Sequence, residues 1–136
     1  MMKDSLAAGI ATVRELTIDR ERTIGFMGEK ARVYATPMMV RDIEMTCREL
    51  LLAHLDPGED SVGTRVEIDH LAATLLGMTV RIEAKVTEVK GRAVTFEVSV
   101  HDGIDQCGRC KHARFVVELK KSEERLAAKA QKAKLQ

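Results

Sequence analysis

Residues 80–100 read VRIEAKVTEVKGRAVTFEVSV. Val80, Ile82, Ala84 and Val86 alternate with Arg81, Glu83, Lys85 and Thr87. After Lys90-Gly91, Val94, Phe96, Val98 and Val100 alternate with Thr95, Glu97 and Ser99. A repeat of two puts successive side chains on opposite faces of a strand, and the Lys-Gly pair supplies the turn. The stretch is therefore an antiparallel hairpin with one covered face. The same signal continues on both sides of it. Val66 and Ile68 alternate with Arg65, Glu67 and Asp69. Beyond the Asp102-Gly103 turn, Ala113, Phe115, Val117 and Leu119 are expected to extend the covered face.

A sheet with one apolar face needs a cover. The large candidate is a helix from Thr36-Pro37 to Leu55, with the Thr36 hydroxyl as predicted N-cap and proline at the first helical position. Met39, Ile43 and Leu50 make one line, flanked by Val40, Cys47 and Leu51, while Arg41, Asp42, Arg48 and Glu49 take the opposite side. Met45 and Leu52 stand outside this stripe, and Asp56-Pro57-Gly58 ends the helix. Upstream, Leu16 and Ile18 alternate with Glu15 and Thr17, predicting a strand near 13–24, and Gly25 to Lys30 reads as a turn. Strand, helix and four more strands give an α+β architecture, a curved antiparallel sheet wrapped around one long helix. Residues 1–119 form the expected single domain.

The remaining segment, 120–136, is KKSEERLAAKAQKAKLQ, with six Lys/Arg against two acids. Its net charge of +4 leaves −3 on the preceding 119 residues. Helix-forming composition with Ser122 as N-cap, but no real apolar stripe, predicts a helical or frayed solvated tail.

The whole chain, 136 residues with a net charge of +1, has no Trp, one Tyr and three Phe, so basic excess and stacking surface for nucleic acid are both missing. No apolar run approaches the roughly 18–20 residues of a membrane span, and Leu6 to Ala11 is too short for a signal-peptide core. A cytoplasmic enzyme or ligand-binding domain is the expectation. Cys107-Gly108-Arg109-Cys110 has metal-like spacing, but a structural zinc site takes four ligands, and Cys47 lies sixty residues upstream in the helix. His101 and His112 are the nearest imidazoles. The two cysteines read as small residues at a strand start, with no metal and no redox role.

Two polar residues break the apolar pattern. Glu44 falls between Leu51 and Leu55 on the helical wheel, inside the stripe, and His70 shares a strand face with Val66 and Ile68. Burying an ionisable group costs several kcal/mol unless it is paired, so such positions concentrate acid and base chemistry. Turned towards one interior, the two make a candidate acid/base pair. The same pattern also fits a glutamate reaching solvent from the stripe edge and a hydrogen-bonded core histidine. Gly63, in Ser61-Val62-Gly63-Thr64, allows close backbone approach or simply makes a turn. Thr36 sits where helix amides attract developing negative charge.

The segments VYATPMMV, Glu44, SVGTRVEIDHLAATLLGMTVRIEAKV and HDG with KHARFVVEL resemble the hotdog-fold thioesterases of the fluoroacetyl-CoA thioesterase type, over about residues 33–119. The resemblance implies that Thr36, Glu44 and His70 fill the family's catalytic positions. Gly63 then matches the glycine at the reacting centre, and Arg114 an arginine near the substrate. Arg114 alternates with Phe115, so its own strand phase places it outward, in a surface ion pair or reaching a neighbouring subunit's site. The resemblance further implies a homodimer, an acyl-CoA substrate lying at the subunit interface, and no metal or other cofactor. In that scheme Glu44 acts as general base on water or attacks to give an anhydride. His70 handles the proton or the departing thiolate, and Thr36 positions the carboxylate or carbonyl. Members specific for fluoroacetyl groups carry an aromatic-rich lid before the threonine. Here IGFMGEKARVYAT holds only Phe26 and Tyr34, so a different acyl group is expected. The alternatives on the same fold are a non-catalytic module that binds acyl-CoA or another acyl ligand, and dehydration of a hydroxyacyl thioester.

Overall fold

A computed structural model describes residues 2–135. Its elements are β1 (Ala11–Thr17), α1 (Thr36–Leu52), β2 (Glu59–His70), β3 (Thr79–Lys90), β4 (Ala93–His101), β5 (Gln106–Glu118) and α2 (Leu119–Lys132). The five strands form one antiparallel sheet in the order β1-β3-β4-β5-β2, which leaves β1 and β2 as its edges. The expected α+β arrangement of a sheet around a helix is the one found. Among the described residues no helix is long and apolar enough to cross a membrane.

The α1 stripe and the sheet's inner face make the core. Met39, Ile43, Cys47 and Leu51 are fully buried, against Val80, Ile82 and Val86 of β3 and Val94, Phe96 and Val100 of β4. Each such side chain contributes about 1.5–3 kcal/mol by leaving water. On the outer face, Lys85, Glu97, Lys111 and Glu67 lie side by side across four strands, so neighbouring charges alternate in sign. The predicted 80–100 hairpin is β3 and β4, with Gly91 turning at φ +61°.

Five local expectations are corrected. β1 stops at Thr17 instead of running to residue 24, because the Asp19 carboxylate captures the Arg22 amide at 3.0 Å and starts a 3-10 turn over Arg20–Arg22. α1 ends at Leu52, three residues early. It begins with Ala35 at the N-cap and no side-chain cap, so the Thr36 hydroxyl is free for other work. α2 starts at Leu119, which places Ser122 inside the helix rather than at its cap. Asp42, expected on the charged side of α1, is buried. It accepts Arg22 at 2.9 and 3.1 Å and the Tyr34 hydroxyl at 2.5 Å, and so fastens the 19–35 segment to the helix.

The largest correction concerns β5. Its inward residues are Cys110, His112, Arg114 and Val116, while Phe115 is 40% exposed. Apolar count favours the opposite phase. A mutually satisfied set of polar side chains outweighs that preference, since buried polar groups cost little once their hydrogen bonds are made.

Candidate active site

Thr36 opens α1 and His70 closes β2. The Thr36 Oγ1 lies 2.7 Å from His70 Nδ1. The imidazole is held further by Tyr34, whose ring meets it edge-on with centroids 6.4 Å apart. Burial pulls the His70 pKa below its ordinary 6.5, and a hydrogen bond with the Ala72 backbone acts in the opposite sense. Its Nε2 is buried and has no hydrogen-bond partner among the described residues. A cleft of about 540 Å³ opens beside the pair, walled by Ile24, Phe26, Val33 and Leu71. The wall before Thr36 is built on charge. Glu29 takes two hydrogen bonds from Arg20 and two from Arg32, and these guanidinium contacts lower its carboxyl pKa to about 2.

The polarising amides expected at the helix start are fewer than the sequence suggests. Pro37 has no N–H, and the Met38 and Met39 amides both donate to the Ala35 carbonyl at 3.0 Å.

A second cluster lies farther along α1. The Glu44 side chain is partly exposed, and its Oε2 lies 3.6 Å from Arg114 Nη1. Arg114 is buried and points inward, contrary to the outward reading. Its Nε donates to Ser61 Oγ at 2.7 Å and its Nη2 to the Ser61 carbonyl at 2.8 Å. Burial lowers the guanidinium pKa and the Glu44 charge opposes that. Gly63 is the meeting point. A Cβ there would come 2.9 Å from Glu44 Oε2, 3.2 Å from His112 Cε1 and 3.6 Å from Arg114 Nη1. No side chain larger than hydrogen fits without displacing the carboxylate.

Within one chain these clusters are separate. Eight positions along α1 carry Glu44 about 12 Å beyond Thr36 at 1.5 Å per residue. Seven positions of strand put His70 about 23 Å from Gly63. The structure thus joins Thr36 to His70, and Glu44 to Gly63 and Arg114, but does not bring Glu44 and His70 together. Cys107 and Cys110 are buried thiols on β5. Burial raises both pKa values, that of Cys110 to about 11. His112 was legible only as a possible metal ligand; its inward phase, two residues before Arg114, is the signal that places it here. A groove of about 570 Å³ on the far face of the sheet is lined by Glu67, Asp69, Glu83, Lys85 and Arg109, and contains none of the residues of either cluster.

The family profile described as "FlK: Fluoroacetyl-CoA-specific thioesterase" matches residues 18–120, most of the chain and all of both clusters. The chain belongs to this family. As a member it is a hotdog-fold thioester hydrolase. It is 34% identical over 127 residues to the fluoroacetyl-CoA thioesterase of Streptantibioticus cattleyicolor, covering 88% of this chain and 91% of that one. A solved structure of the fluoroacetyl-CoA thioesterase FlK superposes with a TM-score of 0.84 at 31% identity, covering 93% of this chain and 98% of that one. A variant of FlK solved with fluoroacetate and CoA gives a TM-score of 0.79 at 32% identity, over 85% and 98% of the two chains. A hot-dog-like protein from Thermanaerovibrio acidaminovorans, 22% identical with a TM-score of 0.83 over 90% and 91% of the chains, shares the fold.

Proposed function

We propose that the chain hydrolyses acyl-CoA thioesters at a site completed by a second copy of itself. The observation that supports this most is the division of the polar machinery between two places on one edge of the sheet. β2 carries Gly63 near one end and His70 at the other, and both sit opposite inward positions of β5. It is an edge strand of 12 residues with Val62 and Val66 exposed and Leu71 just beyond, a surface that calls for a partner strand. Antiparallel pairing of two β2 strands about a two-fold axis near Val66 and Glu67 sets Gly63 of one protomer opposite His70 of the partner subunit. Each site then draws Thr36 and His70 from one protomer, and Glu44, Gly63 and Arg114 from the other.

In this arrangement the thioester carbonyl lies beside the Gly63 backbone, within reach of the Glu44 carboxylate that a side chain there would displace. The Glu44 carboxylate removes a proton from water as it adds to the carbonyl carbon, or adds itself to form an anhydride that water then opens. The C–S bond breaks as the tetrahedral species collapses. His70, neutral at neutral pH and held by Thr36, relays a proton to the departing thiolate, accepting in exchange the one that Glu44 took from water. Arg114 faces the Glu44 carboxylate across an ion pair of 3.6 Å and orients it towards Gly63. Coenzyme A as the carrier follows from the likeness to FlK. The acyl group differs, because the wall before Thr36 is set by an Arg–Glu–Arg cluster with Phe26 as its one exposed ring.

Thiol release from a panel of acyl-CoA esters tests the reading, with wild type beside Glu44→Ala and His70→Ala, each checked for native folding. Losses of about 100-fold or more in kcat in folded variants are expected. No turnover on any ester, with acyl-CoA binding retained, would instead establish a non-catalytic acyl-CoA-binding module.

A further inference from the structure

His112 lies at the floor of the Glu44 cluster, and its two ring nitrogens have unlike partners. Nδ1 is 2.7 Å from the Arg65 carbonyl oxygen, which can only accept, so Nδ1 carries the proton. Nε2 is 3.2 Å from Arg114 Nη1, which can only donate, so Nε2 keeps its lone pair. The ring is thus fixed in one neutral tautomer. A second proton would set N–H against N–H and add a cation beside a buried guanidinium. Phe96 stacks against the ring with centroids 6.1 Å apart and planes 26° apart, which fixes its orientation.

The consequence falls on Arg114. Ser61 holds its Nε and Nη2, and His112 holds one N–H of Nη1. The same Nη1 forms the ion pair with Glu44 Oε2 at 3.6 Å. We propose that His112 is a positioning residue of this site, a neutral acceptor that holds the Arg114 guanidinium against the Glu44 carboxylate. The inference rests on the thioesterase reading of the cluster. The charged groups around the ring are Arg114 on β5 and Glu44 on α1; from β2 it meets the Arg65 carbonyl and the Gly63 backbone, and from β4 the Phe96 ring. Burial and Arg114 both lower the His112 pKa, against the Arg65 carbonyl and Glu44.

His112→Asn can still reach the Arg65 carbonyl but is too short to accept from Arg114. His112→Gln places a carbonyl oxygen near the lost Nε2. In the full chain, Asn is expected to lower kcat roughly 10- to 100-fold with KM nearly unchanged, and Gln to restore most of it. On an Arg114→Gln background the Asn substitution should cost less than about 2-fold, because its effect runs through Arg114. Thermal melts of every variant establish folding. Wild-type turnover with an unimpaired His112→Asn variant, or an equal loss in both backgrounds, would overturn the positioning role alone. Failure of wild type on every ester would remove the thioesterase reading and this role with it. NMR of ¹⁵N-histidine-labelled protein decides the ring state independently of turnover. A protonated Nδ1 and bare Nε2 are expected; a proton on Nε2 near neutral pH would overturn the proposal.

Discussion

Thr36 Oγ1 and His70 Nδ1 meet at 2.7 Å although 34 residues separate them, and the helix start that Thr36 occupies has no side-chain cap. The hydroxyl is therefore committed to the histidine rather than to its own helix. This separates its effect on activity from its effect on stability. Thr36→Val keeps the shape and removes the hydrogen bond, leaving the His70 ring free to turn. It should lower kcat about 10- to 100-fold while costing no more than about 1.5 kcal/mol in a denaturant melt. Thr36→Ser should stay within about 5-fold of wild type. Equal activity of the Val and Ser variants would mean that the contact is incidental.

The proposed sharing of the site between two protomers predicts complementation between inactive chains. Glu44→Ala and His70→Ala homodimers each lack one group at both sites. In a mixed dimer one site lacks both groups and the other has both intact. Mixing, unfolding and refolding equal amounts should restore about one quarter of wild-type turnover, since half of the dimers are mixed and each of those has one working site. A site built within a single chain would recover nothing under the same protocol, whatever the oligomeric state.

Gly63→Ala tests how closely the carboxylate is held. Its new Cβ would come 2.9 Å from Glu44 Oε2, the end of a flexible side chain, and 3.2 Å from His112 Cε1. The first contact is relieved by swinging Glu44 away, at little cost to the fold. The second involves a ring stacked on Phe96, which gives less. The variant should fold, lose roughly 1–3 kcal/mol of stability, and lose at least about 100-fold in kcat through displacement of the carboxylate. A fully active, fully stable alanine variant would place the reacting centre elsewhere.

How far the sequence carried this reading depended on whether a residue's phase followed its polarity. The β3–β4 hairpin and α1 were legible because Val80 to Val100 and Met39 to Leu51 keep strict periods of two and 3.6. Glu44 and His70 were found as breaks in those periods. β5 misled, because Ala113, Phe115 and Val117 form the apolar phase that faces outward, while His112 and Arg114 satisfy each other, Ser61 and Glu44 inside. No local pattern encodes that satisfaction, since its partners come from α1 and β2. The spacing between Glu44 and His70 was likewise invisible until β2 was seen to run its length between their clusters. The 19–35 segment was obscure for the same reason: Asp42 holds it through Arg22 and Tyr34, a tertiary contact.

Stability against pH should form a plateau, with buried histidines contributing to its acid edge and buried thiols to its alkaline edge. His70 and His112 have folded pKa values below the ordinary 6.5. Between the folded and unfolded values the unfolded chain binds more protons, so stability rises with pH and their contribution is complete above about 6.5. It is lost as pH falls from there towards the depressed values. The thiols have the opposite shift, with Cys47 raised to about 12 and Cys110 to about 11 from an ordinary 9.0. Above about pH 9 the unfolded chain loses thiol protons that the folded one keeps, so stability falls. Urea midpoints measured between about pH 4.5 and 10.5 check both edges. His112→Gln should flatten the acid side and Cys47→Ala the alkaline side. An acid side unchanged by His112→Gln would mean that the ring is not held neutral by the fold, and the account of the Arg114 contact would fail with it.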